Sequence, residues 1–148
     1  MNKCIIDEGK FLKLNNVISF EIEVKDVLDI SSKFKEVYLI LKNNSIDIYG
    51  PIILKMQGKS QNQFNVMVQC RNKKIDLSKF EYYESLTSNS SLFTHYTGKV
   101  EDLIYVNMKM KVYAYEHDLI VKDELILVIL DMKENIITAD VFNEIKSI

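Results

Sequence analysis

Apolar and polar positions alternate with a period of two in two stretches of the chain. One is Ile18, Phe20, Ile22 and Val24 against Ser19, Glu21 and Glu23; the other is Phe64, Val66, Val68 and Cys70 against Asn65, Met67 and Gln69. Alternation of that kind predicts half-buried strands. Between them Val27, Ile30, Phe34, Val37 and Leu41 recur at helical spacing. Asp26 suits the start of that helix, and Asn43-Asn44 suits its end, because Asn tolerates the left-handed conformation that stops a helix. Gly50-Pro51 punctuates before a strand over 52–56, and 58–62 reads as a polar turn. The piece 9–14 either pairs with the first strand across Asn15-Asn16 or continues it through a bend.

Further strands are predicted over 80–86, over 92–97 with a closing Thr97-Gly98 turn, over 124–130 and over 136–145, with a polar connector at 71–78. The stretch from Val100 is ambiguous. Ile104, Val106, Met108, Met110 and Val112 alternate with polar or tyrosine positions as in a strand, while Leu103, Val106, Met110 and Tyr113 fit a helical stripe. Its length, its lack of internal Gly or Pro, and Gly98 followed by Glu101-Asp102 favour a helix. A second apolar stripe of Tyr105, Met108, Val112 and Tyr115 would then need a partner.

Sliding the chain along itself by 73 positions, the step from Val27 to Val100, supports the helix. Val37 then falls on Met110, Ile52-Ile53-Leu54 on Leu125-Ile126-Leu127, and Phe64, Val66 and Val68 on Ile137, Ala139 and Val141. In this register Met67 matches Asp140 and Ile22 matches His95. The expectation is an α+β fold: two strand-helix-strand-strand repeats, about 1–73 and 74–148, forming one antiparallel sheet in a single domain. Both helices lie on one face, with a central cleft between them as the default ligand site.

Composition narrows the function more than it identifies it. A formal net charge of −2, with no Lys/Arg block, gives no footprint for direct nucleic-acid or membrane binding. No signal-peptide core and no apolar run long enough to span a bilayer is present, so a cytoplasmic protein is expected. Cys4 and Cys70 lack metal-type spacing, and only His95 and His117 are available as histidine ligands. Four glycines leave little for a phosphate loop, and no nucleophile elbow or dinucleotide fingerprint occurs. No cofactor and no catalysis are expected.

The strand 93–98 ending in Thr97-Gly98, the helix after it and the turn His117-Asp118-Leu119 resemble the second half of GyrI-like domains, the effector-binding domains of bacterial transcription activators. Asn44-Ser45-Ile46 and Gly50-Pro51 resemble the corresponding places of the first half. The resemblance implies a small-molecule binding domain for amphipathic, often cationic, effectors, here standing alone without a DNA-binding domain. It also implies an acidic residue in the last strand, for which Asp140 is the match. The chain departs from the family pattern at Asp140, shorter than the usual Glu, and at Lys99, where proline is usual. It is also similar to short stand-alone proteins of low-GC Gram-positive bacteria, some near type VII secretion toxin clusters. That likeness implies the alternative of an accessory protein with a protein partner or a homodimer.

The candidate ligand-binding residues are Asp140, Met67, His95, Tyr96, Tyr105 and Tyr113. Asp140 enters the cleft if Thr138, Asp140 and Phe142 point toward the helices; Ile137, Ala139 and Val141 make an equally good inner face. His95 and Asp140 would form an acid–base pair if the fold joined them, which is the basis of a hydrolase alternative. The tyrosines offer π-faces to a cation, and Met67 an adaptable apolar wall.

Overall fold

The computed structural model describes residues 4–24, 29–56, 63–71, 78 and 80–146. The strands are β1 (Asp7–Lys10), β2 (Lys13–Glu23), β3 (Ile48–Met56), β4 (Gln63–Cys70), β5 (Glu81–Thr87), β6 (Ser91–Lys99), β7 (Leu125–Lys133) and β8 (Ile136–Glu144). Helix α1 (Ile30–Asn43) lies between β2 and β3, and α2 (Leu103–Glu116) follows β6 through a single 3-10 turn, Val100–Asp102. Residues 9–14 do not form a hairpin with β2. The chain instead bends at Asn16, where φ is 52°, and β1 pairs separately with β6. Asp26, the turn at 58–62 and most of the connector at 71–78 lie outside the described residues. Among the described residues no helix is long and apolar enough to cross a membrane.

All eight strands form one antiparallel sheet in the order β1-β6-β8-β7-β3-β4-β2-β5. At its centre Leu54 of β3 stands opposite Leu127 of β7. Outward from that pair the order is β3-β4-β2 in one direction and β7-β8-β6 in the other, so the sheet is symmetrical about its middle. Both helices pack on one face. Ile30, Val37 and Leu41 of α1, and Leu103, Val106, Met110 and Ala114 of α2, share a core with Leu54, Val66, Leu127, Ala139 and Val141.

The 73-residue step carries the bounds of α1 onto those of α2, and Leu54 onto Leu127. It slips in the outer strands. Leu54 pairs with Val66, whereas Leu127 pairs with Val141, so Asp140 occupies the place of Asn65 and Phe142 that of Met67. The expected matches of Met67 with Asp140 and of Ile22 with His95 are therefore corrected. Asn65 faces Glu21 as Asp140 faces His95. Pairing registers, not sequence spacing, decide which positions correspond.

The ambiguous segment is α2, and its alternation has a helical cause. Val106, Met110 and Ala114 form one row at four-residue spacing and are buried; Ile104, Met108 and Val112 form another and are each more than half exposed. At about 100° per residue, two such rows offset by two positions lie on opposite sides of a helix. Superposed in sequence, they imitate a strand.

The two helices also end alike. Ser45 and Asp118 adopt left-handed backbone, with φ of 54° and 55°. Beyond them the N–H of Ile46 donates to the carbonyl of Leu41 at 2.9 Å, and that of Leu119 to Ala114 at 2.8 Å. These bonds satisfy carbonyls that the last turn leaves without a partner. A non-glycine residue pays a Cβ clash of about 1–2 kcal/mol there. Ser45→Gly and Asp118→Gly should each raise the unfolding free energy by about 0.5–1 kcal/mol, part of the relieved clash being offset by glycine's greater entropy loss; denaturant titration reads the change.

Candidate functional site

The central strands are apolar on both sides. Ile52, Leu54, Leu125, Leu127 and Ile129 face the helices, while Ile53, Ile126 and Val128 face the other way. On that second face, which neither described helix covers, Leu14, Val17, Met67 and Phe142 complete a separate buried cluster with Phe93 against it. Phe93 meets Phe142 edge-on, with ring centroids 5.1 Å apart.

Cross-strand pairing sets His95, Asp140, Val128, Ile53 and Met67 in one row over β6, β8, β7, β3 and β4. At strand spacings of 4.7–4.9 Å, Asp140 and Met67 are about 14 Å apart along it. His95 Nδ1 lies 2.8 Å from Asp140 Oδ1. An ionised carboxylate only accepts, so Nδ1 carries the proton and, in the neutral ring, Nε2 is the acceptor. The imidazole side chain is 55% exposed and the carboxylate 29%, so the pair is reachable from solvent.

Beside the row a groove of about 260 Å³ opens, with Leu14, Met67, Leu86 and Ile126 among its walls and Lys55, Lys122 and Glu144 at its polar side. Both lysines have acidic partners: Lys55 Nζ lies 3.0 Å from Glu124 Oε2, and Lys122 Nζ 3.6 Å from Glu144 Oε2. Glu144 also accepts the backbone N–H of Asn89 at 2.9 Å. With these charges offset, Asp140 is the carboxylate of the row that has His95, and no lysine or arginine, as its ion-pair partner among the described residues.

Asp140 is thus on the opposite face from the cleft expected between the helices. The reason is packing: Ile137, Ala139 and Val141 are fully buried against the helices, and strand alternation sends Asp140 the other way. The structure brings Asp140, His95 and Met67 together on one face. Tyr96, Tyr105 and Tyr113 are not on it. Tyr96 is buried on the helix side, its hydroxyl donating to the Lys99 carbonyl at 2.7 Å. Tyr105 is half exposed on α2, and with Tyr96 and His95 it borders a smaller space of about 200 Å³ at the edge of β6. The Tyr113 hydroxyl donates to Glu8 at 2.7 Å, and its ring stacks on His117 at 3.8 Å.

On the helix side, a groove of about 630 Å³ runs beside α1, with Phe34, Tyr38, Ile52 and Ile129 on its walls and without Asp140. The sequence reading missed the floor formed by Ile53, Ile126, Val128 and Phe142. The signal was present: unbroken apolar runs at 52–54 and 125–130 belong to strands buried on both faces.

The Thr97-Gly98 pair is not a turn. Both residues lie within β6, paired with Thr138 and Ile137. Gly98 is required by Tyr96, because a Cβ on Gly98 would meet the Tyr96 hydroxyl oxygen at 2.5 Å and its Cζ at 2.9 Å. Burial raises the phenol of Tyr96 above its ordinary value of 10.0, and the negative charges of Asp102, Cys4 and Glu101 add to the effect.

No family model matches the sequence, and no curated protein does. Solved structures do. A structure of SAV2435 bound to tetraphenylphosphonium aligns over 99% of this chain and 95% of its own, with a TM-score of 0.51 at 11% identity. A hydrolase encoded by lin2189 from Listeria innocua aligns over 97% of this chain and 92% of its own, with a TM-score of 0.59 at 8% identity. A further hydrolase from Listeria innocua aligns over 94% and 93%, with a TM-score of 0.54 at 8% identity. At these identities the likeness is one of fold.

Two outcomes follow for Tyr96. Gly98→Ala should destabilise the protein by about 1–3 kcal/mol through overpacking, and Tyr96→Ala in the same chain should abolish most of that increment in a double-mutant cycle. A raised phenol favours the protonated native state, so its contribution is complete below pH 10 and is lost as pH rises through the higher folded value. Tyr96→Phe should accordingly flatten the alkaline fall in stability, read by thermal unfolding across that range.

Proposed function

We propose that this chain is a GyrI-like binding domain that holds a small amphipathic cation reversibly on the helix-free face of its sheet. The observation that carries the reading is an apolar floor bearing one carboxylate not offset by a lysine or arginine. Ile53, Val128 and Phe142 supply the floor, and Asp140 stands in the same row. A lipophilic cation gains there by approaching Asp140 where water is partly excluded; Ile53, Val128 and Phe142 are themselves buried, so they give the site its apolar backing rather than exposed area. His95 holds the carboxylate through one oxygen, Oδ1. The groove of about 260 Å³ beside Met67 opens on the same face, about 14 Å along the row from Asp140, and is lined by Lys55, Lys122 and Glu144 as well as by apolar side chains. The tetraphenylphosphonium held by SAV2435, a protein of similar fold, supports the same ligand chemistry, and so does the sequence resemblance.

The His95–Asp140 pair favours one competing reading. An imidazole oriented by a carboxylate, with Nε2 toward solvent, is the base half of a hydrolytic site, and two Listeria innocua hydrolases share the fold. Reversible capture is preferred here because the sheet face around the pair is apolar; the hydroxyls of Thr97 and Thr138, 3.2 Å apart on the same face, or water are the nucleophiles that hydrolysis would draw on.

Tetraphenylphosphonium at a hundredfold excess over its dissociation constant should raise the melting temperature by about 5–10 °C. Asp140→Asn should weaken its binding by roughly tenfold, the scale of one partly exposed charge interaction. No shift with this or other lipophilic cations, or an equal shift in Asp140→Asn, sinks the proposal. Turnover of simple esters that disappears in His95→Ala would replace binding with hydrolysis.

A further inference from the structure

We infer that the outer face of α2 is the interface of a homodimer, in which α2 packs antiparallel against α2 of a second copy about a twofold axis at Met108. The face consists of Ile104, Tyr105, Met108, Val112 and Tyr115, which are 54%, 51%, 56%, 55% and 84% exposed. The fold does not need it. At the same places 73 residues earlier, α1 carries Ser31, Ser32, Lys35, Leu39 and Lys42, four of them polar, and it packs on the same sheet. A surface helix that carries a second apolar stripe opposite its buried one presents surface suited to a partner.

The pattern of the face points to a second copy. Ile104 and Val112 lie four residues either side of Met108, one helical turn of about 6 Å each way. A twofold axis at Met108 then brings Ile104 against the partner's Val112 and Met108 against its own copy, which is the self-complementarity that an isologous contact requires. The row at four-residue spacing is also the ridge that interlocks when two helices cross at about −50°. That crossing carries the acidic ends, Glu101 and Glu116, away from each other. Lys109 and Lys111 flank the stripe on either side of Met108, the ammonium of Lys111 being held by the Lys122 carbonyl at 2.7 Å, so the face is an apolar stripe between two lysines rather than a block of charge.

The area agrees. At about 150–250 Å² per aromatic side chain, Tyr105 and Tyr115 present on the order of 250 Å², and the aliphatic chains bring the face to roughly 500 Å². A standard interface buries about 800 Å² per partner, of which about 60% is apolar, so the apolar share it needs is already here.

Sedimentation velocity of the full chain over a concentration series tests the inference. The wild type should sediment as a dimer at high concentration and as a monomer on dilution. Ile104→Glu and Val112→Lys should each be monomeric throughout, and mixing the two variants should restore a dimer, because the introduced charges then face each other across one contact. Circular dichroism confirms that each variant is folded, which Ser31 at the place of Ile104 in α1 and the 55% exposure of Val112 lead us to expect. As an independent variant, Met108→Cys should crosslink to its own copy under mild oxidation. A wild type that is monomeric at every concentration overturns the inference. So does a dimer that survives both single substitutions or that gives no crosslink through position 108.

Discussion

Everything in this protein hangs on the pairing of β3 with β7 through Leu54 and Leu127. The two strands are apolar on both faces, so the sheet must be shielded on both sides of its middle. Helices supply one cover. On the other side, Val17, Ile53 and Val128 are as well removed from water as the helix-side core, yet no described helix lies over them. Each fully buried aliphatic side chain contributes about 1.5–3 kcal/mol relative to exposure, and the second face therefore adds to stability.

That same constraint places the charge. Ile137, Ala139 and Val141 sit at 0% exposure under the helices, with Ala139 the small residue where the layers come close. A slip of one residue in β8 would send Asp140 into this core, where an unpaired carboxylate costs several kcal/mol. The irregularity between Ile129 and Asp131 of β7 lets Ala139 stay opposite Ile129 and Asp140 opposite Val128. Asp140 is consequently solvent-reachable, bonded to His95, and on the sheet face that neither described helix covers.

The helices show how one architecture accommodates two surface chemistries. Both pack by corresponding buried positions and are followed by a left-handed residue at the same place, Ser45 or Asp118, but α1 has an amphipathic outline and α2 does not. Since the packing is shared, the fold does not require the apolar outer row of α2. The opposite sheet edge is guarded differently: β5 carries Glu81 and Glu84, and self-pairing in register about its centre would bring like charges together.

Local chemistry alone determined a good deal. Alternation and helical spacing located the elements, the 73-residue correspondence turned the ambiguous segment into a helix, and the α+β sheet with two helices on one face followed. Those features are legible because side-chain periodicity is a property of the backbone, independent of what packs against it. Three matters belonged to the tertiary structure. Which side of β8 faces the helices depends on pairing register, since Ile137-Ala139-Val141 and Thr138-Asp140-Phe142 are both plausible inner faces in sequence. The meeting of His95 with Asp140 depends on β6 lying beside β8. Gly98, which sequence assigns to a turn, is a strand residue kept bare for the ring of Tyr96. Each rests on contacts between residues far apart in the chain, and sequence spacing carries no measure of those distances.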